Sequence, residues 1–340
     1  VTVGERRFEA DAVIVSTGAR PRKLPKAMPD GKRILTWKQI YSLKTVPTHL
    51  IVVGSGVTGA EFASAFNSVG VKVTLVSSRE HVLPNDDPDA ARLIEEVFAK
   101  NGVNICANSR AEAARVVDDG VVVTLSDGRE LEGSHVLMAV GAIPNTDQMG
   151  LEEAGVELDE RGFVKIDRVS RTTANRIYAA GDCTGVFLLA SVASAQGRIA
   201  IAHALGDAVE PLNLDQVSSN IFTNPEIAAV GVTQKEVDSG EVDCVSVTLP
   251  IARNARARMR GIDEGFVKLF ARRRTRTIAG AVICLQYAGE FIFPLTLAVK
   301  NRLTVDQFAN TFTIYPSISG TITEAARSLH KMVELSLIHI

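Results

Sequence analysis

The sequence predicts an α/β protein whose first part is built on a parallel sheet and whose last part is a separate α+β segment. An apolar run at 50–53 leads into a glycine-rich turn at 54–59 and then into a helical pattern. A second apolar strand, at 177–180, also ends in a glycine, followed by an acid. From Leu212 onward the pattern changes to separated strands and then helices. These observations predict two dinucleotide-binding units and a third, C-terminal unit.

The stretch 47–146 is predicted to form one unit, because strand and helix patterns alternate along it. Apolar residues recur on one face of its first helix, which ends at Gly70. An Asn-Gly pair at 101–102 ends the second helix, and an Asp-Gly pair at 127–128 is typical of a hairpin turn. The expected elements are strands at 50–53 and 71–76, helices at 60–69 and 88–100, a hairpin at 121–128 and a strand at 135–140.

The flanking segments have patterns of their own. Residues 1–20 read as strand, turn and strand, and the proline-rich stretch 21–29 reads as a linker. A different unit resumes at 147–210, with a strand at 177–180 and a helix at 191–205. Two more helices are expected near 291–300 and at 305–309.

Composition excludes several classes of function. The 340 residues carry a net charge of −2, so nothing in the charge balance favours nucleic acid as a partner. No apolar run approaches the roughly 18 residues that a membrane span needs. The four cysteines are scattered without metal-site spacing, which predicts free thiols and a cytoplasmic location.

Both ends of the sequence are unusual. Val1 begins inside a predicted strand without an initiator Met, so we expect the chain to be a fragment. Residues 335–340 break the amphipathic pattern before them and match one reading frame of a common sequencing adaptor. We expect an artefactual tail there, and the alternative is a genuine apolar C-terminus.

The glycine turn at 54–59 has the spacing of a dinucleotide-binding motif between a strand and a helix. Gly54 permits the tight turn, Gly56 admits a pyrophosphate close to the backbone, and Gly59 lets helix and strand pack closely. The helix N-terminus that follows offers free N–H groups to the anion. The alternative is a tight turn without a ligand.

The end of the next strand predicts which nicotinamide nucleotide is bound. NAD sites usually place a carboxylate there, about 20 residues after the motif, to bind the ribose 2′-OH. Here the position is Ser77, followed by Ser78 and Arg79. An arginine pairs well with a 2′-phosphate, which favours NADPH or use of both nucleotides. The alternative is that Arg79 is a solvated surface charge.

Gly181 and Asp182 follow the second apolar strand. A carboxylate there can accept hydrogen bonds from a polyol such as the ribityl chain of a flavin, and the alternative is that Asp182 caps a helix.

At this point the sequence resembles the pyridine nucleotide–disulfide oxidoreductases, flavoproteins related to dihydrolipoamide dehydrogenase. The resemblance covers nearly all of residues 1–330. It rests on short motifs in the order that the family has them: Ser16-Thr17-Gly18 with Pro21, Gly54 to Glu61, Gly141 to Thr146, Tyr178 to Asp182, Phe222 to Gly231 and Gly265 to Leu269.

The resemblance implies a Rossmann-like NAD(P) domain inserted in an FAD domain, plus a C-terminal dimerisation domain. The implied boundaries are 1–46 for part of the FAD domain, 47–146 for the NAD(P) domain, 147–210 for the return to the FAD domain, and 211–334 for dimerisation. The family's first glycine motif and its redox-active cysteine pair would lie before Val1.

The resemblance also assigns residues. It implies that Glu61 lies near the nicotinamide and that the C-terminal domain forms a homodimer. The NAD(P)H contacts it implies are Gly54, Ser55, Gly56, Val57, Thr58, Gly59, Glu61, Ser77, Ser78, Arg79 and Gly141. The FAD contacts it implies are Thr17, Gly18, Gly181 and Asp182.

One departure from the family pattern concerns catalysis. Disulfide reductases of the family carry a His-Pro pair and a Glu four residues after the Pro, and this dyad moves the proton to and from the thiol. Here Tyr315 replaces the His and Gly320 replaces the Glu. A phenol with a reference pKa of about 10 is a poor base at neutral pH.

The resemblance and this departure together imply an FAD enzyme that passes hydride from NAD(P)H, through the flavin, to a small quinone-like acceptor without a disulfide step. The alternatives are a soluble transhydrogenase, a disulfide reductase of the same fold, and a regulatory module that binds NAD(P) without turnover.

Overall fold

The computed structural model describes the backbone of residues 1–337 and the side chains of residues 1–330. Residues 338–340 of the expected tail, and the side chains of 335–337, lie outside what it describes. The chain divides into two compact units, one made of Val1–Arg22 with Gly141–Leu214, and the other of Lys23–Val140 with the chain from Asp215 onward. Each unit is an α/β assembly, as the sequence predicts.

The strands are short in the first unit and longer in the second. In chain order they are β1 (Thr2–Val3), β2 (Arg6–Arg7), β3 (Val13–Val15), β4 (Ala19–Pro21), β5 (Ile34–Thr36), β6 (His49–Val53), β7 (Lys72–Val76), β8 (Asn104–Cys106), β9 (Ala111–Val117), β10 (Gly120–Leu125), β11 (Glu130–Gly133), β12 (His135–Met138), β13 (Ala142–Pro144), β14 (Ile177–Ala179), β15 (Ser218–Ile221), β16 (Glu226–Gly231), β17 (Cys244–Pro250), β18 (Phe266–Arg272) and β19 (Ile278–Leu285).

The helices cluster in the second unit. They are α1 (Trp37–Ile40), α2 (Val57–Ser68), α3 (Pro88–Lys100), α4 (Ala190–Ala204), α5 (Gln234–Asp238), α6 (Ala255–Met259), α7 (Ala288–Phe291), α8 (Phe293–Lys300), α9 (Val305–Ala309) and α10 (Gly320–Leu337). Short 3-10 turns cover Asp182–Thr184, Leu214–Gln216 and Ile251–Arg253.

The second unit contains the parallel sheet that the alternating pattern predicts. Its five strands lie in the order β5-β12-β6-β7-β8, and every pair in it is parallel. Helix α2 connects β6 to β7, and α3 connects β7 to β8. The predicted hairpin is confirmed as β10 and β11, which continue into an antiparallel meander with β9.

Helix α3 has the ends that its sequence predicts. It spans 88–100 as expected, with Pro88 in its first turn and Lys100 in its last. Its N-cap is Asp87, whose side chain accepts hydrogen bonds from the N–H groups of Asp89 and Ala90. A carboxylate at this position satisfies free N–H groups and interacts favourably with the helix dipole.

The C-terminal segment of the second unit forms an antiparallel sheet in the order β15-β16-β19-β18-β17. Its strands β18 and β19 are buried at nearly every position because both faces of the sheet are covered there. One face packs on α8, α9 and α10, and the other packs on residues of α2 and α3. The parallel sheet and the C-terminal sheet therefore share one core.

The first unit is smaller. Strand β14 pairs in parallel with β3, and β13 pairs antiparallel with β4. Its core contains Val15, Val164, Ala179 and Cys183, all buried. The predicted strand at 177–180 and helix at 191–205 are confirmed within one residue at each end.

Asp86, just before α3, generates a pH-dependent prediction. Burial, and then the charge of Asp87, raise the pKa of Asp86 from 3.8 to about 6. Folding therefore favours the protonated form, and this group lowers stability as pH rises from about 4 to about 6. We expect Asp86→Asn to be more stable than wild type, by a margin that widens by roughly 1–2 kcal/mol between pH 4.5 and pH 7.5.

Urea unfolding at the two pH values measures this margin. Asp118→Asn, in an exposed turn, is the matched control, because it removes one surface carboxylate and so reports the effect of net charge alone. A constant margin for Asp86→Asn would show that Asp86 titrates normally.

Candidate functional site

The turn between β6 and α2 is shaped by two close contacts. Gly54 has φ +110°, and a Cβ on it would lie 2.2 Å from the carbonyl oxygen of Ala139. A Cβ on Gly59 would lie 1.8 Å from the carbonyl oxygen of Gly54. No side chain fits at either position without displacing the backbone of β6 or of the segment after β12. Packing alone therefore requires both glycines.

Gly56 has no such internal reason to be glycine. It has ordinary extended backbone angles, and a Cβ on it would meet nothing within 4 Å. It is the N-cap of α2 and supplies no side-chain cap to the first N–H groups of the helix, with exposed Val57 and half-buried Thr58 next in the chain. The open space lies where a phosphate would meet those N–H groups. The turn therefore fits a dinucleotide pyrophosphate.

Ser77 lies beneath the turn that follows β7 rather than on its surface. Its side chain is fully buried, and its hydroxyl lies 2.7 Å from the hydroxyl of Ser55 and 2.9 Å from the carbonyl oxygen of Arg79. The N–H of Arg79 donates back to Ser77 Oγ over 3.1 Å. Ser77 therefore holds the turn in shape, while Ser78 and Arg79 are exposed and available to a ribose.

Glu61 on α2 is half-buried, and its Oε1 accepts a hydrogen bond from the N–H of Phe222 over 2.9 Å. One turn further on, Ser64 Oγ accepts from the N–H of Asn224 over 2.9 Å. Burial raises the pKa of Glu61, and the Phe222 N–H partly offsets that rise. These two side chains fasten α2 to the segment before β16. The nicotinamide contact of Glu61 stays a prediction.

Gly141 is the one expected NAD(P) residue that the division of the chain places in the first unit. It has φ +98° and is exposed, and its carbonyl accepts from the N–H of Arg22 over 2.9 Å. It directly precedes β13, and its contact with NAD(P)H stays a prediction.

The expected FAD residues lie together in the first unit. Gly181 has φ +84° and caps the 3-10 turn that begins at Asp182, so Asp182 itself is not the cap. The hydroxyl of Thr17 is buried and has no hydrogen-bond partner among the described residues. Gly18 has φ +67° and open space around its Cβ direction. An unsatisfied buried hydroxyl next to Gly18, whose φ is positive, fits a polar ligand such as the flavin's ribityl–phosphate chain.

Two residues that support the expected FAD site are not predicted from the sequence. Gln196 on α4 is fully buried, and its Oε1 accepts from the N–H of Gly181 over 2.7 Å. Asn145 donates from Nδ2 to the carbonyl oxygen of Thr17 over 2.9 Å. Asn145 lies in the Gly141 to Thr146 motif, but the motif does not indicate its partner, and Gln196 lies in none of the motifs. A glutamine on the apolar side of a helix was the only signal for Gln196.

Tyr315 is exposed on the surface of the described chain. Its side chain is 87% exposed, and its hydroxyl has no hydrogen-bond partner in the described part of the chain. Gly320 begins α10 and contributes no side chain. Glu324, one turn later, forms an ion pair with Arg327. No carboxylate therefore orients the phenol within residues 1–330.

Metal and membrane sites are not found in the described chain. Across the residues described, no group of three His, Cys, Asp or Glu side chains is arranged to hold a metal ion. None of the helices within residues 1–337 is long and apolar enough to cross a membrane. All four cysteines are buried and unpaired.

Comparisons with known proteins agree with this geometry. The profile of pyridine nucleotide-disulphide oxidoreductases matches residues 1–197, and the profile of their dimerisation domain matches residues 217–326. A curated relative from Mycobacterium tuberculosis, named NAD(P)H dehydrogenase (quinone), is 54% identical over 321 residues. That alignment covers 94% of this chain, and the chain spans only 65% of the relative's length.

Two solved structures are similar in fold as well as in sequence. LpdA from Mycobacterium tuberculosis superimposes with a TM-score of 0.91 at 54% identity, over 95% of this chain and 70% of that one. The Cu(II) complex of the HOCl-induced flavoprotein disulfide reductase RclA from Escherichia coli gives a TM-score of 0.87 at 27% identity, over 97% and 75%.

Alanine substitutions at Gly59 and Gly56 should differ in their effect on the free energy of unfolding. We expect Gly59→Ala to cost at least about 3 kcal/mol or to prevent folding, because its Cβ would overlap the Gly54 carbonyl. Gly56→Ala should cost no more than about 1 kcal/mol, because its Cβ points into open space. Thermal unfolding of both variants measures the contrast, and equal losses would contradict the separate roles given to these glycines.

Proposed function

The chain belongs to the pyridine nucleotide-disulphide oxidoreductase family, and from this premise we propose that it transfers hydride from NAD(P)H, through FAD, to a quinone-like acceptor. The observation that carries the proposal is the open space beside Gly56 at the N-terminus of α2. No contact within the protein requires a glycine at this position. FAD, when bound, supplies the chemistry that accepts a hydride and releases its electrons to the acceptor. The protein's own residues bind the two cofactors and orient them.

In the proposed complex the N–H groups at the start of α2 bind the NAD(P)H pyrophosphate. Gly54 and Gly59 bring strand and helix close enough to aim those groups at one point. Ser78 and Arg79, exposed after β7, contact the adenosine ribose. Arg79 supplies the positive charge that a 2′-phosphate requires.

FAD is proposed to lie against the first unit. Thr17 would donate its unpartnered hydroxyl, and Asp182 would accept hydrogen bonds from the ribityl chain. The left-handed backbone at Gly18 and Gly181 lets the main chain approach the cofactor without a side chain in between. Gln196 holds the N–H of Gly181 and so fixes the turn that presents Asp182.

A quinone is proposed as acceptor because the residues for a dithiol step are replaced. Tyr315 offers a phenol in place of an imidazole, and the neighbouring Glu324 is already paired with Arg327. Quinone reduction needs no thiolate and no base of that kind. The printed name of the Mycobacterium tuberculosis relative supports this acceptor class.

A homodimer is proposed through the C-terminal segment, in agreement with the dimerisation profile that matches it. The segment exposes several large side chains that a partner subunit could cover. They are Phe293 (63%), Phe312 (93%), Ile314 (75%) and Tyr315 (87%). A cytoplasmic location stays a prediction of the cysteine pattern.

The glycine at the start of α2 gives the decisive test. We expect Gly56→Val in the full-length, FAD-loaded protein to lower NAD(P)H:quinone turnover at least about 100-fold while it keeps its flavin, because the new side chain fills the space for the pyrophosphate. Ala65→Val, exposed on the same helix, is the matched control and should keep wild-type turnover.

Steady-state assays with a soluble quinone, lipoamide and glutathione disulfide separate the candidate functions. Quinone turnover that survives Gly56→Val would refute the nucleotide site. Rapid reduction of either disulfide by the wild-type protein would favour a disulfide reductase. An absence of NAD(P)H oxidation with every acceptor would favour a regulatory module.

Arg79 tests the choice of nucleotide. We expect Arg79→Ala to raise the KM for NADPH about 10-fold and leave the KM for NADH within about twofold, because only NADPH carries the 2′-phosphate. Arg115→Ala, an exposed arginine on β9, should change neither value. Equal effects on both nucleotides would place Arg79 away from the ribose.

A further inference from the structure

Lys268 is a charged side chain inside the second unit. It lies on β18 between Phe266 and Phe270, on the sheet face that packs against α3, and it is 1% exposed. Its Nζ lies 2.9 Å and 2.8 Å from the two carboxylate oxygens of Asp87, and 2.6 Å from Asp89 Oδ2. The ammonium thus reaches from the C-terminal sheet to the N-cap of α3.

This ion pair is poorly explained by stability alone. Removing the ammonium and the carboxylates from water costs free energy that their attraction barely offsets, and apolar replacements of such pairs are often equally stable. With phenylalanines on either side, a methionine at 268 would pack well. The ion pair gives Asp87 a defined position, because the carboxylate of Asp87 must meet the ammonium of Lys268 with hydrogen-bond geometry.

Asp87 is also the last residue of the β7–α3 loop, residues 77–87. The loop begins at Ser77, whose hydroxyl bonds to that of Ser55 in the glycine turn, and midway the N–H of Leu83 donates to the Ser55 carbonyl over 2.8 Å. The N–H of Val82 donates to Glu95 on α3 over 2.6 Å. The loop is thus tied to the glycine turn at its start and middle, and to the C-terminal sheet at its end.

We propose that Lys268 is a positioning residue for the nicotinamide nucleotide: by holding Asp87, it fixes the β7–α3 loop that presents Ser78 and Arg79 to the adenosine ribose. The C-terminal domain then contributes to nucleotide affinity as well as to dimer contacts. This inference rests on the proposed use of NAD(P)H. Lys268 acts through Asp87 and does not itself touch the nucleotide.

Two variants test it in the full-length, FAD-loaded protein. Lys268→Met removes the ammonium. Asp87→Asn with Lys268→Met also removes the Asp87 carboxylate while it keeps a good N-cap at 87, and Asp89, which is partly exposed, keeps its ion pair with Arg92. We expect both to raise the KM for NADPH about 5- to 20-fold with kcat within about twofold. The dissociation constant of NADP⁺, measured by calorimetry, should rise equally, and amides 78–86 should exchange hydrogen at least 10-fold faster.

Lys100→Met is the matched control. It breaks another ion pair between α3 and the C-terminal segment, with Glu264, but one that is exposed and remote from the loop. It should change neither NADP⁺ affinity nor exchange of 78–86. A double variant that folds with wild-type affinity and exchange would overturn the inference, and so would an equal effect of Lys100→Met.

The proposed function and this inference fail in different ways. If the wild-type protein oxidised no NAD(P)H, the proposed function would fail, and NADP⁺ calorimetry with hydrogen exchange would still decide the role of Lys268. If Lys268→Met did not fold, the charge-neutral double variant would give the answer.

Discussion

The burial of the C-terminal sheet on both faces is the constraint on which the second unit depends. Strand β18 alternates between two cores: Val267 and Leu269 face α8 to α10, while Phe266 and Phe270 face the helices of the parallel sheet. The parallel sheet and the C-terminal sheet therefore cannot separate without exposing the apolar side chains of both. The ion pair of Lys268 lies in this shared layer, where a low dielectric makes its geometry strict.

The glycine turn shows that one motif can meet two different demands. Gly54 and Gly59 are required by contacts within the protein, at 2.2 Å and 1.8 Å for a hypothetical Cβ, whereas Gly56 borders open space. The first two would be needed even in a protein without a ligand. Gly56 alone carries information about binding, because a side chain there would obstruct only something that is not protein. The same logic applies to the unpartnered hydroxyl of Thr17.

When the acceptor is not a disulfide, catalysis in this fold needs few catalytic side chains. Within residues 1–330 no carboxylate bonds to the phenol of Tyr315, and Glu324 is paired with Arg327. These groups fit the proposal that the acceptor is not a disulfide. Under that proposal the protein's task is to bind and orient two cofactors, which depends on backbone geometry at glycines and on fixed loops.

The sequence by itself determined the features that depend on neighbouring residues: the β-α-β order, the glycine turn, and the bounds of α3, Pro88 to Lys100. It also predicted the residues of both cofactor sites, since motifs are local, and those assignments stay predictions. Only the tertiary structure decided that Ser77 is buried beneath its turn, that Gln196 holds Gly181, and that Lys268 reaches Asp87 across 181 positions. Those contacts join residues that are far apart in the chain. They depend on how the sheets and helices pack, and neither the periodicity nor the spacing of the sequence indicates which side chains that packing brings together.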